Sequence, residues 1–149
     1  MKKRWLLLIS MALFALMLTA CGSREAQTIE GFTEIMEQAG FYVEHGSDEM
    51  LSVAWAIDAE ERFQIAFYVF ESEFEANRAF DEIRSNFNSI TTGAVSRSAV
   101  NGSNHNIYRL ISRGTIFRAS RIENTLVFVM TDEAYGDYVD NGLDLIGYR

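Results

Sequence analysis

Ile107-Tyr108-Arg109-Leu110-Ile111-Ser112-Arg113-Gly114-Thr115-Ile116-Phe117-Arg118-Ala119-Ser120-Arg121-Ile122-Glu123-Asn124-Thr125-Leu126-Val127-Phe128-Val129-Met130 decides the fold. β-Branched and aromatic residues fill it, and Arg113-Gly114 and Glu123-Asn124 interrupt it. That pattern predicts a meander of three strands, Asn106–Ser112, Thr115–Ile122 and Thr125–Met130, joined by two-residue turns. Pairing through the turns puts Tyr108, Leu110, Phe117, Ala119, Leu126, Phe128 and Met130 on one face, which is expected to be the core face. The opposite face then carries Ile107, Arg109, Ile111, Ile116, Arg118, Val127 and Val129, with Arg109 directly across from Arg118.

Upstream, Met50–Ile57 and Arg62–Phe70 suit a hairpin closed by Asp58-Ala59-Glu60-Glu61. Ser52, Ala54 and Ala56 share a face with Phe63, Ile65, Phe67 and Val69. Leu51, Val53 and Trp55 lie on the other with Gln64, Ala66 and Tyr68. A slip of one residue would exchange the two faces. Thr28 caps a helix over Ile29 to Ala39, ended by Gly40. Ser72-Glu73-Phe74-Glu75 has capping-box spacing for a helix running to about Asn86, with Ala76, Phe80, Ile83 and Phe87 as its buried stripe. Residues 88–104 read as a long polar loop in which Ala99-Val100 adds a short strand. Asp132 caps a last helix with Tyr135, Val139, Leu143 and Ile146 inside. The element order αββαβββα predicts an α+β domain. Its expected form is a mainly antiparallel sheet of about five strands with the helices on one face.

The amino terminus sets the compartment. Lys2-Lys3-Arg4, an apolar run from Trp5 to Leu18 and small residues before the single cysteine form a secretory signal. The run is shorter than the ~20 residues of a relaxed membrane span. Leu18-Thr19-Ala20-Cys21 resembles the lipobox of bacterial lipoproteins. The resemblance implies cleavage after residue 20, diacylglycerol on Cys21 and a position on the outer side of a cytoplasmic membrane. The expected organisation is a signal over 1–20, a mobile tether over 21–27 and one domain over 28–149.

Loss of the signal takes the formal charge from −8 to −11. A domain so acidic is a poor ligand for nucleic acid and is repelled by anionic lipid, so membrane affinity falls to the lipid chain. No second cysteine exists for a disulfide. Packing must stabilise the fold, and aromatic side chains are plentiful.

The mature segment also resembles a group of small uncharacterised lipoproteins of Gram-positive bacteria. The stretches that carry this are Gly40-Phe41-Tyr42-Val43, Ala56-Ile57-Asp58, Gln64-Ile65-Ala66-Phe67-Tyr68-Val69-Phe70, Val100-Asn101-Gly102-Ser103-Asn104 and Ser120-Arg121-Ile122-Glu123-Asn124-Thr125. It implies export and a shared fold, and it transfers no catalytic residue.

Motifs for chemistry are absent. There is no glycine-rich phosphate loop, no Gly-x-Ser-x-Gly and no His-Glu-x-x-His. His105 stands at a loop-to-strand junction, where a surface histidine is ordinary. His45, Asp48 and Glu49 are a conceivable metal set but match no ligand spacing, and a solvated turn explains them as well. The reading is therefore a non-enzymatic binding or interaction module of the cell envelope, without cofactor or metal. Its expected partners are membrane lipid through Cys21 and an envelope protein or a second copy. The alternative is a small hydrolase directed at wall or lipid. The expected binding face comprises Arg109, Arg118, Val127 and Val129, extended by Trp55 and Tyr68. Pairing of the arginines with acids of the same chain is the simpler explanation of their position.

Overall fold

Period-two alternation of apolar residues on both sides of a strand requires cover on both sides of the sheet, and the architecture follows from this. The structure is a computed structural model and describes residues 23–48, 51–90 and 96–149. In chain order the elements are α1 (Ile29–Gln38), β1 (Tyr42–Asp48), β2 (Leu51–Ile57), β3 (Gln64–Phe70), α2 (Glu73–Ile90), β4 (Ser96–Asn101), β5 (His105–Ser112), β6 (Thr115–Ile122), β7 (Thr125–Asp132), a 3-10 turn (Glu133–Tyr135) and α3 (Gly136–Leu145). The fold is α+β, with one sheet of seven strands in the order β1-β2-β3-β7-β6-β5-β4. Every neighbouring pair is antiparallel.

Two strands exceed the expected five. β1 is an edge strand whose Tyr42-Val43-Glu44-His45-Gly46-Ser47-Asp48 mixes turn-forming residues into a weak alternation. β4 occupies Ser96–Asn101, where only Ala99-Val100 gave a strand signal. The order is thus α, three strands, α, four strands, α.

The meander pairs as its turns dictate, Arg109 opposite Arg118 and Ala119 opposite Phe128. In the first hairpin Ile57 pairs with Gln64, not Arg62. The loop is longer because Asp58 N–H donates to the Phe63 carbonyl at 3.1 Å. A shift of two residues keeps parity, so Ala54 still shares a face with Phe67 and Ala56 with Ile65.

The helices lie on both faces, not one. On the first face α1 and α3 cover Ala54, Ala56, Ile65, Phe67, Ile116, Val127 and Val129. Phe67 stacks on Phe32 at 4.7 Å between ring centroids and meets Tyr148 edge-on at 5.9 Å. Gly142 brings α3 close, since a Cβ there would lie 2.8 Å from Ile65 Cδ1. On the second face α2 covers a separate cluster in which Phe80 and Phe87 meet Tyr108, Leu110, Phe117 and Leu126.

Thr28 caps α1 by accepting from Gly31 N–H, and Gly40 (φ 89°) ends it, with Phe41 N–H bonded back to the Met36 carbonyl. Ser72 accepts from Glu75 N–H at 3.3 Å, which starts α2 as read. The segment ahead of α1 is docked where a mobile tether was expected. Arg24 N–H donates to Asn104 Oδ1, its carbonyl accepts from Asn104 Nδ2, and its guanidinium bonds the carbonyls of Gly147 and Arg149. Among the described residues, both clusters are built from residues 26–148.

Candidate functional site

The expected binding face is not a free surface. α3 lies over it, and Val127 and Val129 are buried beneath Val139, Leu143 and Ile146. Arg118 is 8% exposed and donates from Nε to Asp140 Oδ1 of α3 at 3.2 Å. Its Nη1 donates to its neighbour's carbonyl, Phe117 O. The pairing with an acid of the same chain therefore accounts for Arg118. Arg109 remains half-exposed and makes no ion pair among the described residues. Trp55 and Tyr68 point the other way, because their strand positions share parity with Phe128 and not with Val127. They do not extend that face.

The uncovered surface lies at the other end of the sheet. α2 packs over β6, β7 and β3 and its first turns line a groove with Leu51 of β2, while no described helix packs on the second face at the Tyr42–Ile57 end of β1 and β2. There Tyr42 is 64% exposed and Met130 57% exposed. Trp55 lies flat over Gly46, where a Cβ would stand 2.8 Å from its indole. Backbone, not a helix, half-buries that ring.

Beside Trp55 opens a groove of about 560 Å³ lined by Tyr42, Glu44, Ile57, Asp58, Ala59, Glu61, Phe63, Gln64 and Met130. One wall is the β2–β3 loop, which Asp58 organises. Its carboxylate accepts from Arg62 Nε at 2.7 Å, Arg62 Nη2 at 2.9 Å and Glu60 N–H at 3.2 Å. Its carbonyl accepts from Glu61 N–H, which holds Glu61 in the left-handed region (φ 56°). The hydrogen bonds from the Arg62 side chain hold the Asp58 carboxyl below its ordinary range, against the opposing effect of burial. The same pair raises the guanidinium further above its already high value. Arg62 also sits over the rings of Tyr138, at 4.9 Å, and Tyr135, at 5.6 Å, tying the loop to the carboxyl-terminal helix.

The floor is thus aromatic and aliphatic and the wall is fixed. Glu44 and Glu61 stand at the rim with no cation paired to them among the described residues. The lining brings together Tyr42 and the carboxylates of Glu44, Asp58 and Glu61, and holds no Ser, Thr, Cys, His or Lys.

The two histidines are far apart in the sheet. His45 is exposed on edge strand β1, facing an open groove beside Glu30, Glu34 and Glu37 of α1. His105 is buried, not superficial, and Gly102 folds over it so closely that a Cβ would overlap the imidazole. Glu49 and the side chain of Asp48 lie outside the described residues, as do Cys21 and the signal. Among the described residues no three His, Cys, Asp or Glu side chains group to hold a metal ion, and no helix is long and apolar enough to cross a membrane. Sequence reasoning missed Tyr42 and Glu44 because β1 was not recognised, and it placed Met130, at the end of β7, on the core face where the structure leaves it exposed. The usable signal was Tyr42 and Glu44 alternating with Val43, next to a run already assigned to strand.

No protein-family model and no curated protein matches the sequence. The chain is similar to a solved structure described as a GTP binding regulator from Thermotoga maritima. The TM-score is 0.49 and the identity 18%, over 83% of this chain and 90% of that one.

Proposed function

We propose that this chain is an exported lipoprotein of the cell envelope, held on the outer side of the cytoplasmic membrane by diacylglycerol on Cys21. Its domain is a binding module without catalytic activity. The signal Lys2–Leu18, the lipobox-like Leu18-Thr19-Ala20-Cys21 and the family resemblance support the anchoring. Exchange of Cys21 for serine in the full chain is expected to abolish labelling with palmitate and to release the domain or leave the signal uncut. A Cys21→Ser chain that is still labelled and membrane-bound at the mature size overturns the anchoring.

The binding reading rests on one observation: a preformed apolar groove whose rim carboxylates, Glu44 and Glu61, have no cation of their own among the described residues. Such a groove suits a partner segment that presents arginine or lysine beside an aromatic or aliphatic side chain. Trp55 is the sole tryptophan once Trp5 leaves with the signal, and it stands next to the site, paired with Glu44 across β1 and β2. A short peptide alternating Arg and Phe should change Trp55 emission saturably. The change should be lost in Tyr42→Ala and in Glu61→Gln. An Asp-Phe peptide should leave the emission unchanged. Emission indifferent to the basic peptide, or a change that both variants retain, overturns the groove as a site.

A further inference from the structure

Among the described residues both edges of the sheet are open: β1 pairs only with β2, and β4 only with β5. Natural sheets guard such edges with proline, bulges, short strands or clustered charge. β4 has little of this: its six residues pair with β5 without a bulge, all are exposed, and Arg97 is its one charged residue.

The two edges differ in charge. From Ile83 to Ile122 the chain contains no aspartate or glutamate, only arginines and His105. That stretch supplies all of β4, β5 and β6. Arg97 and Arg109, at this end of the sheet, make no ion pair among the described residues. At the far edge β1 carries Glu44, and α1 sets Glu30, Glu34 and Glu37 beside it, lining an open groove of about 560 Å³ with His45.

We infer that β4 of one copy continues the sheet at β1 of the next. Pairing of β4 with β4 brings together two edges whose charged residue is Arg97, and pairing of β1 with β1 brings together two edges that carry Glu44. Pairing of β1 with β4 alone joins opposite charge. The faces agree as well. Six successive antiparallel pairings separate β1 from β4, so the two edge strands run in the same direction. A copy added by translation therefore pairs in parallel and keeps like faces together. Glu44 and Arg97 both lie on the second face, through their partners Trp55 and Leu110. Arg109 lies on the first face, the one α1 covers, and approaches the glutamates of α1. The contact is heterologous, so it builds an open row that twists with the sheet and does not close as a dimer. The inference uses strand edges and shares Glu44 with the peptide groove; Glu61→Gln, which lies outside β1, separates the two, because it should lose the peptide response and keep the association.

Sedimentation velocity of residues 22–149 tests this. At low salt the wild-type domain should form species that grow with concentration, and high salt should disperse them. Glu44→Arg and Arg97→Glu change exposed side chains, so circular dichroism should show both folded. Each alone should remain monomeric, and an equimolar mixture should regain association, because an acidic β1 again meets a basic β4. A wild-type domain monomeric at every concentration in low salt overturns the inference. So does association that each single variant retains, or a closed dimer. If the wild type stays monomeric but binds polyphosphate through Arg97, the β4 edge is a polyanion site and the sheet does not extend.

Discussion

The centre of the sheet and its β1–β2 end have similar side chains and opposite fates. At β7, Val127 and Val129 on one face and Leu126 on the other are all sealed by helices. At the β1–β2 end, α1 seals the first face while Tyr42, Trp55 and Ile57 on the second have no described helix above them. Helix reach, not local hydropathy, separates core from surface here. α2 starts directly after β3, covers β3, β7 and β6, and delivers the chain to the far edge. It never crosses β1.

Truncation at the sealed centre should give the largest effect. Phe67→Ala removes a fully buried ring stacked between α1 and the carboxyl-terminal tail, and should cost roughly 3–5 kcal/mol in urea unfolding. Tyr42→Ala, at the open end, should stay within about 0.5 kcal/mol of wild type. Equal losses would mean that the open end is covered after all.

Arg118 and Arg109 sharpen the contrast within one cross-strand pair. Arg118→Ala strands Asp140 and withdraws a buried stem from beneath α3, at a cost of roughly 1–3 kcal/mol. The cost is held down because Asp140 is 20% exposed and Arg149 also approaches it, at 3.8 Å. Arg109→Ala removes no ion pair and should be nearly neutral in thermal unfolding. A smaller loss, about 1–2 kcal/mol, is expected from Tyr148→Phe. It deletes the hydroxyl that contacts Thr125 Oγ1 and accepts from Gln27 N–H, and so loosens the docked segment ahead of α1. Proteolysis near Arg24 should accelerate in that variant.

The side-chain parity of the sheet was legible because tight turns fix register, and the one misjudged loop erred by two residues, which leaves parity intact. Helix placement was not read correctly, although the warning was present. Ile107, Ile111, Ile116, Val127 and Val129 are as apolar as Tyr108, Leu110, Phe117 and Phe128, and a sheet apolar on both sides needs cover on both. The candidate site was least legible. Its floor combines β1, β2, β3 and β7, and β1 contains Gly46, Ser47 and Asp48, residues that favour turns. An edge strand paired on one side only leaves a weak trace in sequence. Arg62 followed by Phe63 gave no hint of a guanidinium bound to Asp58 and stacked on two tyrosines from the far end of the chain.

Asp58 supplies the smallest effect, and it tests whether the open end is preorganised by charge. The folded-state hydrogen bonds from Arg62 place its carboxyl below the ordinary value, which for a free aspartate is about 3.9. A group lowered on folding adds stability above its unfolded pKa and loses that contribution as pH falls through the folded one. Asp58→Asn should therefore melt below wild type at neutral pH, and the gap should narrow as pH falls from about 5 towards 3. Arg62→Met should reproduce the narrowing, since it removes the other half of the pair. The measurement is the melting temperature of each variant against pH by circular dichroism. A gap that stays constant with pH would mean that Asp58 holds the loop through its backbone alone, by its N–H to Phe63 O and its carbonyl to Glu61 N–H. Arg62 would then be free to swing from the groove wall, and the open end would be shaped by backbone turns and not by the ion pair.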